Sequence, residues 1–121
     1  DHMKMDLSEG NSDGAYILRP EAVEAWFYMH EYTKDPKYQE WGWKFFESME
    51  SYLKTPYGYA GMHDVRYPGE ARIDKMEIFF FAETLKYQYL LQSPDHEIKL
   101  DKYVFNTEAH PLSILKGARA A

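Results

Sequence analysis

The sequence predicts an all-α fold of helical hairpins, with a long loop and short strand pieces. Three observations carry that expectation. Two amphipathic stretches, each opened by a proline, are separated only by Thr33-Lys34-Asp35-Pro36. A third stretch sets Met76, Phe79, Phe80, Glu83, Tyr87, Leu90 and Leu91 at helical spacing. At roughly 100° per residue they all fall within about 60° of one line. The chain also carries 11 Tyr, 7 Phe and 3 Trp, which favours a packed core over disorder.

The 121 residues suffice for one small domain and not for two. Residues 1–15 are polar and hold Gly, Asp and Ser, so a loop is expected. The first helix starts at Pro20, which suits a first helical position, and runs through Val23, Trp26, Phe27 and His30 to Tyr32. Pro36 opens the second, which reaches Leu53 with Tyr38, Trp41, Phe45, Met49 and Tyr52 on one face. So short a link between two helices means an antiparallel hairpin. From Thr55 to Arg72 the glycines and prolines predict a long loop with a short strand near Tyr59–Val65. The third helix is expected from Asp74 to Leu91, closed by Ser93-Pro94-Asp95. Leu100–Phe105 reads as extended, and Asn106-Thr107-Glu108 begins a polar turn. Residues 113–121 form a tail. No helix follows to pair with the third, so the chain reads as part of a larger helical assembly.

Charge and composition exclude several functions. The net charge is −6 and no Lys/Arg cluster exists, so neither nucleic acid nor an anionic membrane is an expected partner. No apolar run reaches ~18 residues, so this segment should make no membrane contact. Cysteine is absent, which removes disulfides and thiolate metal sites. The five histidines (His2, His30, His63, His96, His110) lack zinc spacing, and His30 and His110 read as structural. There is no Gly-rich phosphate loop, nor a Ser-His-Asp or Cys-His arrangement. Aromatics beside carboxylates suit carbohydrate, whose C–H faces stack on rings while its hydroxyls bond to acids. An aromatic core accounts for the same composition.

Three acidic settings stand out. Glu83 lies near the centre of an otherwise apolar stripe, where a carboxylate needs a cation, hydrogen-bond donors or a chemical role. Lys86 could pair with it at i+3 but points away from the stripe's centre. Glu21 and Glu24 share one helical face. They either complement the helix dipole or form a general base with a second acid, Arg19 being close enough to pair with it. Thr107-Glu108 is either a helix cap or a hard-cation site, since threonine offers hydroxyl and carbonyl oxygens of the kind calcium accepts.

Several runs, in order, resemble the class I α-1,2-mannosidases of glycoside hydrolase family 47. They are Tyr16-Ile17-Leu18-Arg19-Pro20-Glu21, Gly58-Tyr59-Ala60, Asp64-Val65, Asp74-Lys75-Met76-Glu77 through Phe79, Ala82-Glu83-Thr84-Leu85-Lys86-Tyr87, and Val104-Phe105-Asn106-Thr107-Glu108-Ala109-His110-Pro111-Leu112. The match spans about residues 13–112, and 16–112 is taken as the C-terminal part of such a catalytic domain.

The resemblance implies an (α/α)7 barrel that trims α-1,2-linked mannose from high-mannose N-glycans, with inversion and with Ca2+ at the barrel floor. Carried over by motif, Glu21 is at the catalytic base position and Arg19 is its substrate-binding neighbour. Phe79 resembles the aromatic that stacks on the mannose ring. Glu83 and Glu108 resemble sugar contacts, and with Glu24 they resemble the acids that touch calcium-bound water. Thr107 resembles the residue that ligates calcium through its hydroxyl and its carbonyl. The location implied is the secretory pathway, in the endoplasmic reticulum or Golgi, or secretion. Two departures are plain. Ile78 stands where the family usually has serine. The segment also resembles only the C-terminal part of the domain, so the general acid and a second carboxylate belong to the remainder of the barrel. A non-catalytic mannose-glycan-binding or quality-control module, or an inactive fragment, are the alternatives.

Overall fold

The structure is a computed structural model that describes residues 14–93 and 95–115. Nearly all of the predicted N-terminal loop, residues 1–13, and most of the tail, residues 116–121, lie outside the described residues.

Helix α1 spans Glu21–Thr33 and α2 spans Lys37–Tyr52. Pro20 and Pro36 stand immediately before them with right-handed helical dihedrals. There a fixed φ favours helix initiation and the missing N–H removes no intrahelical bond. Helix α1 ends because Lys34 turns left-handed (φ 57°, ψ 20°) and returns its N–H to the His30 carbonyl. Asp35 then accepts from the Lys37 N–H at 3.0 Å, satisfying a donor that α2 leaves free. On the predicted α2 face Tyr38 and Met49 are buried and Phe45 half-buried. Trp41 and Tyr52 stay 42% and 45% exposed.

The third helical element differs from expectation. Arg72–Ile73 (β4) pairs antiparallel with Gly61–Met62 (β3), which holds the chain extended into the predicted helix. Helical structure starts only at Phe80, as a π-helical segment Phe80–Leu85 continued by α3, Lys86–Gln92. The i→i+5 bonding of a π segment turns the following residues out of the 3.6-residue register. Phe80, Thr84, Tyr87, Leu90 and Leu91 are buried, whereas Glu83 is half-buried at the flank and Met76 is 40% exposed. Thr84 occupies the core position that the stripe assigned to Glu83.

The long loop holds the paired strands β1 (Lys54–Thr55) and β2 (Gly58–Tyr59) ahead of β3. The predicted Tyr59–Val65 strand is therefore two short pieces in different ladders. At the C-terminus β5 (Tyr103–Phe105) pairs antiparallel with β6 (Pro111–Ser113).

The three helices pack against one another. Val23, Phe27, Tyr87, Leu90, Leu91, Phe105 and Ala109 form one core that joins α1, α3 and the β5–β6 hairpin. Leu18, Met49, Leu53, Met62 and Phe80 form a second under the segment that leads into α1. Amides seal the α2–α3 seam, where Gln39 Nε2 donates to the Leu91 carbonyl and Gln92 Nε2 to the Gln39 carbonyl, each at 2.9 Å. Among the described residues no helix is long and apolar enough to cross a membrane.

Candidate active site

The predicted site residues come from three places that the fold brings together: the entrance to α1, the π segment and the β5–β6 turn. The entrance is pinned at several points. Tyr16 exchanges backbone hydrogen bonds with Met62, at 2.9 and 2.8 Å. Its hydroxyl donates to the Arg19 carbonyl at 3.1 Å. Between them Leu18 is fully buried and left-handed, φ 67°. That backbone costs about 1–2 kcal/mol for an L-residue, so it needs compensating contacts. The Thr84 hydroxyl supplies one by donating to the Leu18 carbonyl at 2.6 Å.

This entrance presents Arg19 and Glu21 outward. Arg19 Nη1 lies 3.6 Å from Glu21 Oε1, with both side chains more than half exposed. The same guanidinium sits over the Phe79 ring, its Cζ 5.8 Å from the centroid. Charge, ring and carboxylate thus share one surface. One turn along α1, Glu24 accepts from the Tyr87 hydroxyl at 3.3 Å.

Glu83 faces this group from the π segment. Its pKa is raised above the ordinary glutamate value, first by burial and then by the carboxylate of Glu108, which also hydrogen-bonds to it, and by Glu21 and Glu24. Three acids, from α1 and from the β5–β6 turn, therefore act on Glu83. Lys86 does not neutralise Glu83: its ammonium donates to the Ala109 carbonyl at 2.6 Å.

Thr107 and Glu108 sit exposed in the turn between β5 and β6. No helix begins there, so the helix-cap explanation falls. The turn is organised by Asn106, whose Oδ1 accepts from the N–H groups of Glu108 and His110 at 3.0 and 2.9 Å. This is the local side-chain bonding that makes asparagine a turn residue. Ala109 behind it is left-handed, φ 55°, and almost fully buried. Among the described residues no three His, Asp or Glu side chains are grouped closely enough to hold a metal ion by themselves.

Sequence reasoning missed Thr84, Lys86 and Tyr87 as parts of this site. Tyr87 was legible only as a core residue, and the other two bind distant backbone carbonyls, which leaves no local pattern. Of the remaining predictions, His30 packs half-buried near Glu31, its Nδ1 3.9 Å from Glu31 Oε1, and His110 is exposed beside the turn.

Comparison with known proteins identifies the family. Residues 1–114 match the family described as Glycosyl hydrolase family 47. The chain is 51% identical over 110 residues to mannosyl-oligosaccharide 1,2-alpha-mannosidase MNS1 of Arabidopsis thaliana, covering 91% of this chain and 19% of that protein. It is 47% identical over 100 residues to mannosyl-oligosaccharide 1,2-alpha-mannosidase IA of Sus scrofa, covering 83% and 15%. The solved alpha-1,2-mannosidase from Trichoderma reesei superposes with a TM-score of 0.79 at 38% identity, over 84% of this chain and 22% of that one. The chain thus spans less than a fifth of the length of these curated relatives. Within that span it belongs to glycosyl hydrolase family 47.

Proposed function

We propose that these residues are the C-terminal part of an inverting α-1,2-mannosidase domain and carry its base, sugar platform and calcium-binding turn. The observation that supports this most is the convergence of Glu21, Glu24, Glu83 and Glu108 from three elements, with Arg19 and Phe79 on the same surface. A structural role alone gives no reason to place a half-buried glutamate within reach of three further acids. The relatives, mannosyl-oligosaccharide 1,2-alpha-mannosidases by name, supply the reaction. In this reading the chain completes an (α/α)7 barrel, its substrate is a high-mannose N-glycan, and its setting is the secretory pathway.

The chemistry follows from the side chains. Glu21 takes a proton from water as that water attacks the anomeric carbon of the terminal mannose. The bond from that carbon to the leaving oxygen breaks, and an acid from the remainder of the barrel protonates the oxygen. Inversion needs the two carboxyl groups about 6.5–9.5 Å apart, leaving room for the water. Arg19, paired with Glu21, orients the base, and Phe79 stacks on the sugar ring. Glu83 and Glu108 accept hydrogen bonds from mannose hydroxyls, and Glu24, held by Tyr87, lines the same wall.

The donor set fits a calcium ion. Thr107 contributes hydroxyl and carbonyl oxygens in an exposed turn, and the surrounding acids are all oxygen donors, as a hard cation prefers. A dication at Thr107, reaching Glu24, Glu83 and Glu108 through water, would offset the neighbouring negative charge that adds to burial in raising the Glu83 pKa. When bound, calcium supplies electrostatic stabilisation and orientation of substrate oxygens.

The test is hydrolysis of α-1,2-mannobiose by the polypeptide that carries these residues together with the rest of a family 47 domain. The first product should be β-mannose, read by proton NMR. Glu21→Gln should lower turnover by roughly 10²–10⁴-fold, the usual weight of a general base, with an unchanged circular dichroism spectrum. Full activity in Glu21→Gln would remove the assignment. Mannose binding without turnover in the wild type would instead favour the glycan-binding module.

A further inference from the structure

Lys86 is placed where a charge is hard to explain by solvation. It is half-buried at the start of α3, three residues after Glu83. Among the described residues it makes no ion pair, and its ammonium is directed at the backbone of the β5–β6 turn, 2.6 Å from the Ala109 carbonyl. Ala109 is the left-handed, buried residue directly after Thr107 and Glu108. Inside the turn, Ala109 donates to the Asn106 carbonyl at 3.0 Å and Asn106 donates to the His110 carbonyl at 3.1 Å. Those bonds set the turn's own shape, and core packing of Phe105 and Ala109 holds the hairpin on α3. The Lys86 bond adds a directional polar link to the turn's backbone, and a hydrogen bond from an ionised donor is short and strong for its kind.

We propose that Lys86 is a positioning residue that fixes the Thr107–Glu108 turn against the helical element carrying Glu83. Its catalytic meaning rests on the mannosidase reading above, while the anchoring does not. Thr84 is the counterpart two positions earlier, gripping Leu18 beside Arg19. Thr84 and Lys86, both just after Glu83, thereby hold two separate loops whose acids must meet at one point. A misplacement of about 1 Å in such a group is enough to lower turnover by roughly a hundredfold.

The experiment compares Lys86→Met with Lys86→Arg in the complete domain, with calcium present. Hydrogen exchange at the Glu108 and His110 amides reports the turn, and kcat and KM on α-1,2-mannobiose report the site. In Lys86→Met those two amides should exchange at least tenfold faster while α1 amides keep their protection, and kcat should fall at least tenfold. Lys86→Arg, which keeps a charged donor on a long stem, should restore most of both. Unchanged exchange in Lys86→Met overturns the anchoring, and faster exchange with unchanged kcat overturns the positioning role. Should Lys86→Met unfold, Lys86→Gln takes its place with the same expectations. A wild-type protein that binds calcium but never turns over removes the mannosidase reading, and the exchange result still decides the anchoring.

Discussion

The hydroxyl of Tyr87 stands 3.3 Å from Oε1 of Glu24, joining α3 to α1. The ring is 1% exposed and lies among Phe27, Tyr28 and Phe105. Burial first, and then the negative Glu24, push the phenol pKa above its usual range. Tyr87 therefore stays protonated at every working pH and is a permanent donor to Glu24. Tyr87→Phe keeps the packing and removes that hydroxyl, which also hydrogen-bonds to Tyr28. Hydrogen bonds to charged groups contribute about 1.5–3 kcal/mol, and this one is long, so a loss of about 1 kcal/mol is expected. Urea unfolding measures it. A Tyr87→Phe protein as stable as the wild type would show that Glu24 is held by something else.

Glu83 should make stability depend on pH in an unusual direction. Its pKa is raised in the fold, by burial first and by Glu108, Glu21 and Glu24 next. A carboxylate raised in this way binds its proton more tightly folded than unfolded. Its contribution is therefore fully present below the ordinary glutamate range, near about 4.3, and is lost as pH rises through the higher folded value. Glu31, Asp35, Glu50 and Asp64 are shifted downward and act with the opposite sign, so the total curve mixes both. The difference between wild type and Glu83→Gln isolates the term. Without divalent cations, Glu83→Gln should gain in melting temperature relative to wild type as pH rises from the glutamate range to neutrality. Added calcium should then stabilise the wild type more than the variant. A variant that loses ground with rising pH would mean that Glu83 is favourably paired as an anion.

What the sequence disclosed and what it hid divide along the range of the interactions. The end of α1 and the start of α2 follow from chemistry inside Thr33-Lys34-Asp35-Pro36, and the structure places them within a residue of expectation. The start of the third helix was hidden, because pairing of Arg72–Ile73 with Gly61–Met62 overrides a helical pattern that runs back to Met76. The π register was hidden too, since no residue type announces it. Residue pattern alone singled out the acids of Glu21-Ala22-Val23-Glu24, Glu83 and Thr107-Glu108. Their common location needed the fold, as did the grips of Thr84 on Leu18 and Lys86 on Ala109. Asn106 was half legible: a polar turn was expected there, but a helix cap remained as plausible an outcome until the strands on both sides appeared.

Gly42 tests whether the α2–α3 seam is as tight as the site above it requires. It is a buried glycine in the middle of α2, where helix propensity alone favours alanine by about 1 kcal/mol. A Cβ there would lie 2.5 Å from Leu91 Cδ2 and 3.2 Å from Gln92 Nε2. The end of a leucine side chain can often swing aside, but Leu91 is 1% exposed and packed in the main core. Displacing it would also strain the bond from Gln88 Nε2 to the Gly42 carbonyl, 2.9 Å. Overpacking of this kind costs about 1–3 kcal/mol, so it should outweigh the propensity gain and leave Gly42→Ala net destabilised by about 1 kcal/mol. Denaturant unfolding of the single variant and of Gly42→Ala with Leu91→Ala separates the two effects. Leu91→Ala costs stability on its own but opens the space that the new methyl needs. The double variant should therefore lose less than the two singles combined, with a coupling of about 1 kcal/mol. Simple additivity, or a Gly42→Ala protein more stable than wild type, would show that α2 and α3 have room to spare.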